Sequence, residues 1–244
     1  MGRIFAVTSG KGGVGKSTVA AGLAAATERC GNSVLLIDMD EGLRCLDWML
    51  SLAGKVVFDL SDVFDGRDAM DAVYPVDGFS RFYLLPAPAR KGRVDPELFG
   101  EFLRDAARNF DVVFLDFPAG IDLTFYRPVP DYAVFLTVCN PDPVSLRDAG
   151  VVTDRLREIG KEHIRLICNR FDIGYIRSGI YRNIDEMIDL AGSQLLGIVP
   201  EDKKLLIAGA TGKPVRSGRA YRAFARIADR LFGKSVPLPR VKKI

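Results

Sequence analysis

A single-domain α/β fold with one doubly wound, mostly parallel sheet is predicted by three features of this sequence. Seven short runs are apolar on successive residues instead of alternating: 4–7, 34–37, 82–85, 112–115, 133–138, 164–167 and 195–199. Such runs suit strands covered on both faces, as in a parallel sheet. Helix-forming stretches lie between most of them, which is the alternation of a wound sheet. The first run leads into a glycine-rich loop and then a helical stretch. In sheets of this kind ligands bind at the carboxyl ends of the strands.

The elements follow in order. Residues 17–30 read as the first helix, stopped by Gly31 at a C′ position. Residues 59–74 suggest short helical pieces. Asp95-Pro96 opens a helix as N-cap and first-turn proline, with Leu98, Phe99, Phe102, Leu103 and Ala106 on one face. Asp142-Pro143 opens another, which Gly160 can close. Residues 184–191 and 219–232 complete the set. No repeat or linker divides the chain. Residues 1–233 are expected to form one domain, followed by a basic, proline-containing tail at 234–244.

Composition narrows the classes. The chain has 244 residues and is 48% hydrophobic, enough for one sizeable core. No apolar run reaches the roughly 18 residues of a membrane span, and no secretory signal pattern opens it. A cytoplasmic location is expected. Cys30, Cys45, Cys139 and Cys168 lack metal-site spacing and read as buried thiols. His163 is the only histidine, which excludes a histidine-rich metal site. Net charge is +3, but residues 213–244 hold ten Lys/Arg against one acid, Asp229. That is +9 in the tail and leaves −6 for residues 1–212. The asymmetry points to an acidic partner surface.

The chemistry concentrates in Ser9-Gly10-Lys11-Gly12-Gly13-Val14-Gly15-Lys16-Ser17-Thr18. Gly10, four residues, then Gly15-Lys16-Ser17 satisfies the phosphate-loop (Walker A) pattern. Glycines let backbone N–H groups approach a polyphosphate. Lys16 reaches its outer phosphates and the Ser17 hydroxyl can ligate Mg²⁺. The following helix directs its positive end at the same anion. Two further sets of acids end strands. Asp38-Met39-Asp40 closes the second run, and Asp116 closes the fourth in the position of a Walker B carboxylate. Asp38 and Asp40 also suit an acidic turn and helix cap, and Asp116 a turn before Pro118.

The string K-G-G-V-G-K-S, with its extra lysine Lys11, resembles the deviant Walker A loop of the MinD/ParA ATPases. D-M-D-E-G-L-R-C-L-D at 38–47 and D-F-P-A-G-I-D at 116–122 resemble switch I and switch II of the family's MinD branch. The resemblance implies an ATP- and Mg²⁺-dependent ATPase that is slow without a stimulating protein partner. It implies a homodimer around ATP, with Lys11 crossing to the partner's nucleotide. Asp40 would position the attacking water and help retain the Mg²⁺ shell, while Asp38 supports the loop. Mg²⁺ would be held by Ser17, Asp40 and Asp116. Asn169-Arg170 and Pro200-Glu201-Asp202 match the segments beside the adenine. An Asn amide offers a donor and an acceptor to a base edge, although turn chemistry also explains it. Phe117 departs from the family's small residue. Leu123-Thr124-Phe125-Tyr126-Arg127-Pro128-Val129-Pro130 departs too, as a partner surface or, more simply, as cover for the sheet.

Four functions compete. A MinD-like switch in spatial regulation of cell division or protein positioning leads. A DNA-partition ATPase of the ParA type has only the basic tail in support. An iron–sulfur carrier would need cysteine ligands near the nucleotide, and a metabolic enzyme an acceptor pocket. At the C-terminus, Tyr221, Phe224, Ala228 and Leu231 form an apolar stripe beside Arg219, Arg222, Arg226 and Arg230. This suits a last core helix, with weak contact to an anionic membrane or DNA through its arginines, and a peripheral position at the membrane. Pro237 and Pro239 oppose a continuous helix beyond it.

Overall fold

The computed structural model describes residues 1–239. Arg240, Val241, Lys242, Lys243 and Ile244, part of the expected basic tail, lie outside the described residues. Eight strands form one sheet: β1 Arg3–Thr8, β2 Val34–Asp38, β3 Tyr74–Pro75, β4 Phe82–Leu85, β5 Val112–Asp116, β6 Val134–Cys139, β7 Ile164–Phe171 and β8 Leu195–Pro200. Their order is β3-β4-β2-β5-β1-β6-β7-β8. All pairs are parallel except β3–β4.

The unbroken apolar runs are explained by cover on both faces. Phe5 and Val7 of β1, with Val34 and Leu36 of β2, pack in one cluster. Their alternates Ile4, Ala6, Leu35 and Ile37 pack in another. The first cluster includes α1 (Lys16–Glu28) and α9 (Arg219–Leu231). The second includes α4 (Pro96–Asn109) and one side of α5 (Pro143–Glu158). A third cluster joins β6, β7 and β8 to α5 and α7 (Ile184–Ala191). Gly22 of α1 lies directly under the Phe224 ring, so a methyl group there would collide with it.

Helix starts follow their caps. Asp95 accepts from the backbone N–H groups of Glu97 and Leu98, and Asp142 from that of Ser145. Gly31 and Gly160 both take positive φ just past their helices. Leu98 departs from the expected face and is 46% exposed, because the buried face of α4 runs through Phe99, Leu103, Ala106 and Ala107. Four elements escape the apolar-run reading: β3, α2 (Leu46–Met49), α6 (Gly174–Arg177) and α8 (Lys203–Thr211). Residues 59–74 give α3 (Leu60–Phe64) and one 3₁₀ turn, Ala69–Ala72.

The α9 stripe is rotated from its expected position. Ala220, Ala223, Phe224, Ile227 and Ala228 are buried, while Tyr221 and Leu231 are only half-buried. Not every thiol is buried: Cys139 and Cys168 are, Cys45 is intermediate and Cys30 is exposed at the end of α1. Among the described residues, no helix is long and apolar enough to cross a membrane.

Candidate nucleotide site

Strand order assembles the site. β5 lies between β1 and β2, with Asp116 beside Val7 on one side and Asp38 on the other. The glycine loop leaves β1 at this point, so loop, Asp38 and Asp116 meet at the carboxyl ends of the central strands. Gly15, at φ 88°, is the N-cap of α1 and aims the first turn, Lys16-Ser17-Thr18, into the same space. Asn169 presses against Gly15, leaving no room for a side chain there. Among the described residues, the N–H groups of residues 11–15 donate to no other protein group. They are free to face an anion.

Lys16 and Asp116 are both buried, and the Lys16 Nζ donates to Asp116 Oδ1 at 3.2 Å. Asp116 Oδ2 is buried without a partner. Burial pushes the Asp116 carboxyl up, while the Lys16 ammonium pulls it back. Asp38 is raised to about 7, first by burial and then by the charge of Asp116. Its Oδ1 accepts from the Asp40 N–H at 2.9 Å and its Oδ2 from the Leu46 N–H at 3.4 Å. Asp38 therefore holds both ends of the segment that carries Asp40. Asp40 itself is half-buried. Among the described residues, no three His, Cys, Asp or Glu side chains are grouped to hold a metal. The unpartnered Asp116 oxygen and the adjacent Ser17 hydroxyl are hard oxygen donors that fit Mg²⁺. This ion ordinarily takes one or two protein ligands plus phosphate and water.

The loop after Asp116 is tied to the glycine loop and to β1. The Gly120 N–H donates to Ser9 O at 2.9 Å. Phe117 is buried and meets Tyr126 edge-on at 4.7 Å, and the Tyr126 hydroxyl bonds Thr8 Oγ1 at 2.5 Å. Tyr126 and Val129 join the core, so this stretch covers the sheet as the simpler reading expects. Gly10 packs against the Asp148 backbone. Lys11, Gly12 and Gly13 are exposed, and Lys11 makes no ion pair among the described residues. Val14 is buried.

A separate cleft brings Gly15 and Thr18 together with Asn169, Arg170, Pro200, Glu201 and Asp202. Asn169 Nδ2 donates to Val14 O at 2.7 Å, and its buried Oδ1 has no partner. Arg170 is exposed with φ 54°, a position that costs a non-glycine residue about 1 kcal/mol or more. Asp202 caps α8 and also accepts from the Ala220 N–H, linking α8 to α9. Leu205 and Leu206 of α8 line the cleft too. The resemblance set these residues beside the base, but sequence reasoning missed that they form a helix. It also missed Cys45, whose thiol burial pushes up to about 11 and which lies beside Ser17. No sequence signal marks that contact, since 28 positions separate the two.

A loop of this geometry, with a buried lysine–carboxylate pair beneath it, defines a nucleotide-binding P-loop protein. The family model "CobQ/CobB/MinD/ParA nucleotide binding domain" matches residues 5–215. The chain belongs to this family, and it is an ATPase. It is 36% identical to the septum site-determining protein MinD of Bacillus subtilis, over 98% of this chain and 92% of that one. Among solved structures it resembles the MinC:MinD cell division protein complex of Aquifex aeolicus, with TM-score 0.88, 33% identity and coverage of 98% and 99%. It also resembles MinD of Pyrococcus horikoshii OT3 complexed with Mg-ADP, with TM-score 0.82, 28% identity and coverage of 95% and 96%. The expected cofactors, ATP and Mg²⁺, agree with these findings.

Proposed function

We propose that this chain is an ATP-driven switch that dimerises around ATP and, with a protein partner, takes part in placing a cell-division site. The observation that carries the reading is the buried Lys16–Asp116 pair with one Asp116 oxygen free. Lys16 exchanges part of this contact for the outer phosphates, while Ser17 and Asp116 supply oxygens to Mg²⁺. Bound Mg²⁺ neutralises phosphate charge. Asp40, held by Asp38, orients the attacking water. Phosphoryl transfer asks mainly for such positioning and charge neutralisation. Asn169 Oδ1 serves as acceptor toward the base, with Arg170, Pro200, Glu201 and Asp202 around it. Exposed Lys11 reaches the nucleotide of a second copy.

The relatives named for septum-site determination support the cell-division role, and the Aquifex aeolicus complex supports a protein partner. A DNA-partition role rests on the basic C-terminal region alone, and among its described cations Arg216, Arg219, Arg230 and Lys234 are engaged with the protein itself.

Size-exclusion chromatography with light scattering tests the switch. Asp40→Ala should run as a dimer with ATP and a monomer with ADP, and hydrolyse poorly. Lys11→Ala should still bind ATP yet stay monomeric. A wild-type turnover rate for Asp40→Ala would remove Asp40 from the mechanism, and normal ATP-dependent dimers of Lys11→Ala would make Lys11 an ordinary loop lysine.

A further inference from the structure

We infer that Glu41 is a positioning residue for hydrolysis, clamping the loop between β4 and α4 so that Asp40 is held in place. This rests on the reading of Asp40 proposed above.

Glu41 directly follows Asp40, yet its carboxylate reaches residues more than 50 positions away. Its Oε2 accepts from the Gly92 N–H at 2.7 Å. Its Oε1 accepts from the Arg93 and Val94 N–H groups, each at 3.0 Å. Three successive backbone N–H groups converging on one anion form a nest. Charge-assisted bonds of this kind are among the stronger ones in proteins. The next residue is tied to the same loop, since the Gly42 N–H donates to Pro88 O at 3.0 Å.

Asp40 is thus restrained from two directions. Asp38 takes its N–H from the strand side. Beyond it the chain turns at Gly42, at φ 80°, a residue that imposes little stiffness of its own. Glu41 supplies what Gly42 does not, by fastening the turn to a second chain segment. The fastened loop also walls the space in which Asp40 acts. Lys91 of that loop lines a cleft between the two acidic loops together with Asp40, Asp122, Met39 and Phe117. Displacing residues 92–94 therefore displaces both Asp40 and the wall opposite it. A shift of about 1 Å in a positioning group can cost on the order of 100-fold in rate.

Single-turnover ATP hydrolysis and ATP affinity of the full chain test this. Glu41→Ala should lower the hydrolysis rate by roughly 10- to 100-fold and leave ATP affinity unchanged. Amide exchange at Gly92, Arg93 and Val94 should speed up. Glu41→Gln keeps an oxygen for Arg93 and Val94 but turns an NH₂ toward Gly92, so it should fall between Glu41→Ala and the native chain. In an Asp40→Ala background, Glu41→Ala should slow hydrolysis no further. A native rate for both Glu41 variants, with Asp40→Ala slow, would overturn this inference and leave the reading of Asp40 intact. Additive losses in the double variant would equally overturn it. A native rate for Asp40→Ala would overturn the reading of Asp40 and this inference with it.

Discussion

The phosphate end of the sheet and helix α9 carry charge in opposite ways. At the phosphate end three charged groups are buried close together, Lys16, Asp116 and Asp38, with half-buried Asp40 and exposed Lys11 beside them. On α9 and its flanks many charges are present, and they sit at the surface beside neutral groups. Arg230 donates to Leu196 O and Val236 O, Arg219 to Glu201 O, and Arg216 to Gly78 O. Arg3 donates to Leu231 O and lies over the Phe232 ring. Three of the described cations in this basic region, Arg216, Arg219 and Arg230, therefore fasten chain segments. The sparse charges carry the chemistry, because burial removes water's screening and makes each partner matter.

The largest effect expected from this contrast is that of Lys16→Ala. It removes the loop's cation and leaves Asp116 buried without a counter-charge, a change that costs about 3–5 kcal/mol when a buried pair loses one member. ATP binding should vanish in calorimetric titration with Mg²⁺, and the chain without nucleotide should unfold at lower denaturant. Unchanged affinity would break the comparison at its strongest point.

On α9 the apolar face should outweigh the arginines. Phe224→Ala should cost about 3–5 kcal/mol, and Gly22→Ala about 1–3 kcal/mol through overpacking against the same ring. Arg222→Ala, at an exposed position, should stay within about 0.5 kcal/mol. Urea unfolding of the three variants ranks them directly. A larger loss for Arg222 than for Phe224 would mean that charge, not packing, seats this helix.

A smaller effect follows from Asp38. Its folded value of about 7 lies above that of an unfolded aspartate near 3.9. The folded state therefore holds more protons between these limits, and stability should fall as pH rises from about 4 to about 7, then level off. Asp116, also raised by burial, acts in the same direction. Asp38→Asn should shrink the slope measured by unfolding across this range without abolishing it. A slope equal to the native one would place the titration elsewhere.

What the sequence revealed follows the same division. The loop at 9–18, Asp38, Asp40 and Asp116 were legible because strand ends and fixed spacing place them together. The base-side cleft was legible as segments, Asn169-Arg170 and Pro200-Glu201-Asp202, and the structure brings these around one space. Contacts between distant residues were not legible. Glu41 meeting Gly92, or Cys45 lying beside Ser17, depends on how loops pack, and no periodicity encodes that. Helix α8 was missed because it buries no residue fully, so its sequence lacks an apolar stripe. The stripe on α9 was placed off its true face because alanines, three of its five buried residues, weigh little beside Tyr221 and Leu231.

The smallest effect expected is at the surface of α9. Arginines bound to carbonyl oxygens keep their charge, so the long-range attraction to an anionic surface survives. Their side chains are less free to reach phosphates, and Lys234 is paired with Asp229 at 2.7 Å. Each cation near an anionic membrane contributes about 1 kcal/mol before screening, and at 0.1 M salt the attraction decays within about 10 Å. The apolar face is already occupied: Ala220, Ala223, Phe224, Ile227 and Ala228 are buried in the core that includes α1. Nothing on that face is left to enter lipid unless the helix leaves its place. Co-sedimentation with anionic vesicles and with duplex DNA should thus show weak binding at low salt that disappears at high salt, for both surfaces alike. Tight, salt-resistant, ATP-dependent binding to vesicles alone would mean that an apolar surface, not charge, makes the contact. The expectation that Pro237 and Pro239 keep the segment beyond α9 from acting as an anchor would then fail.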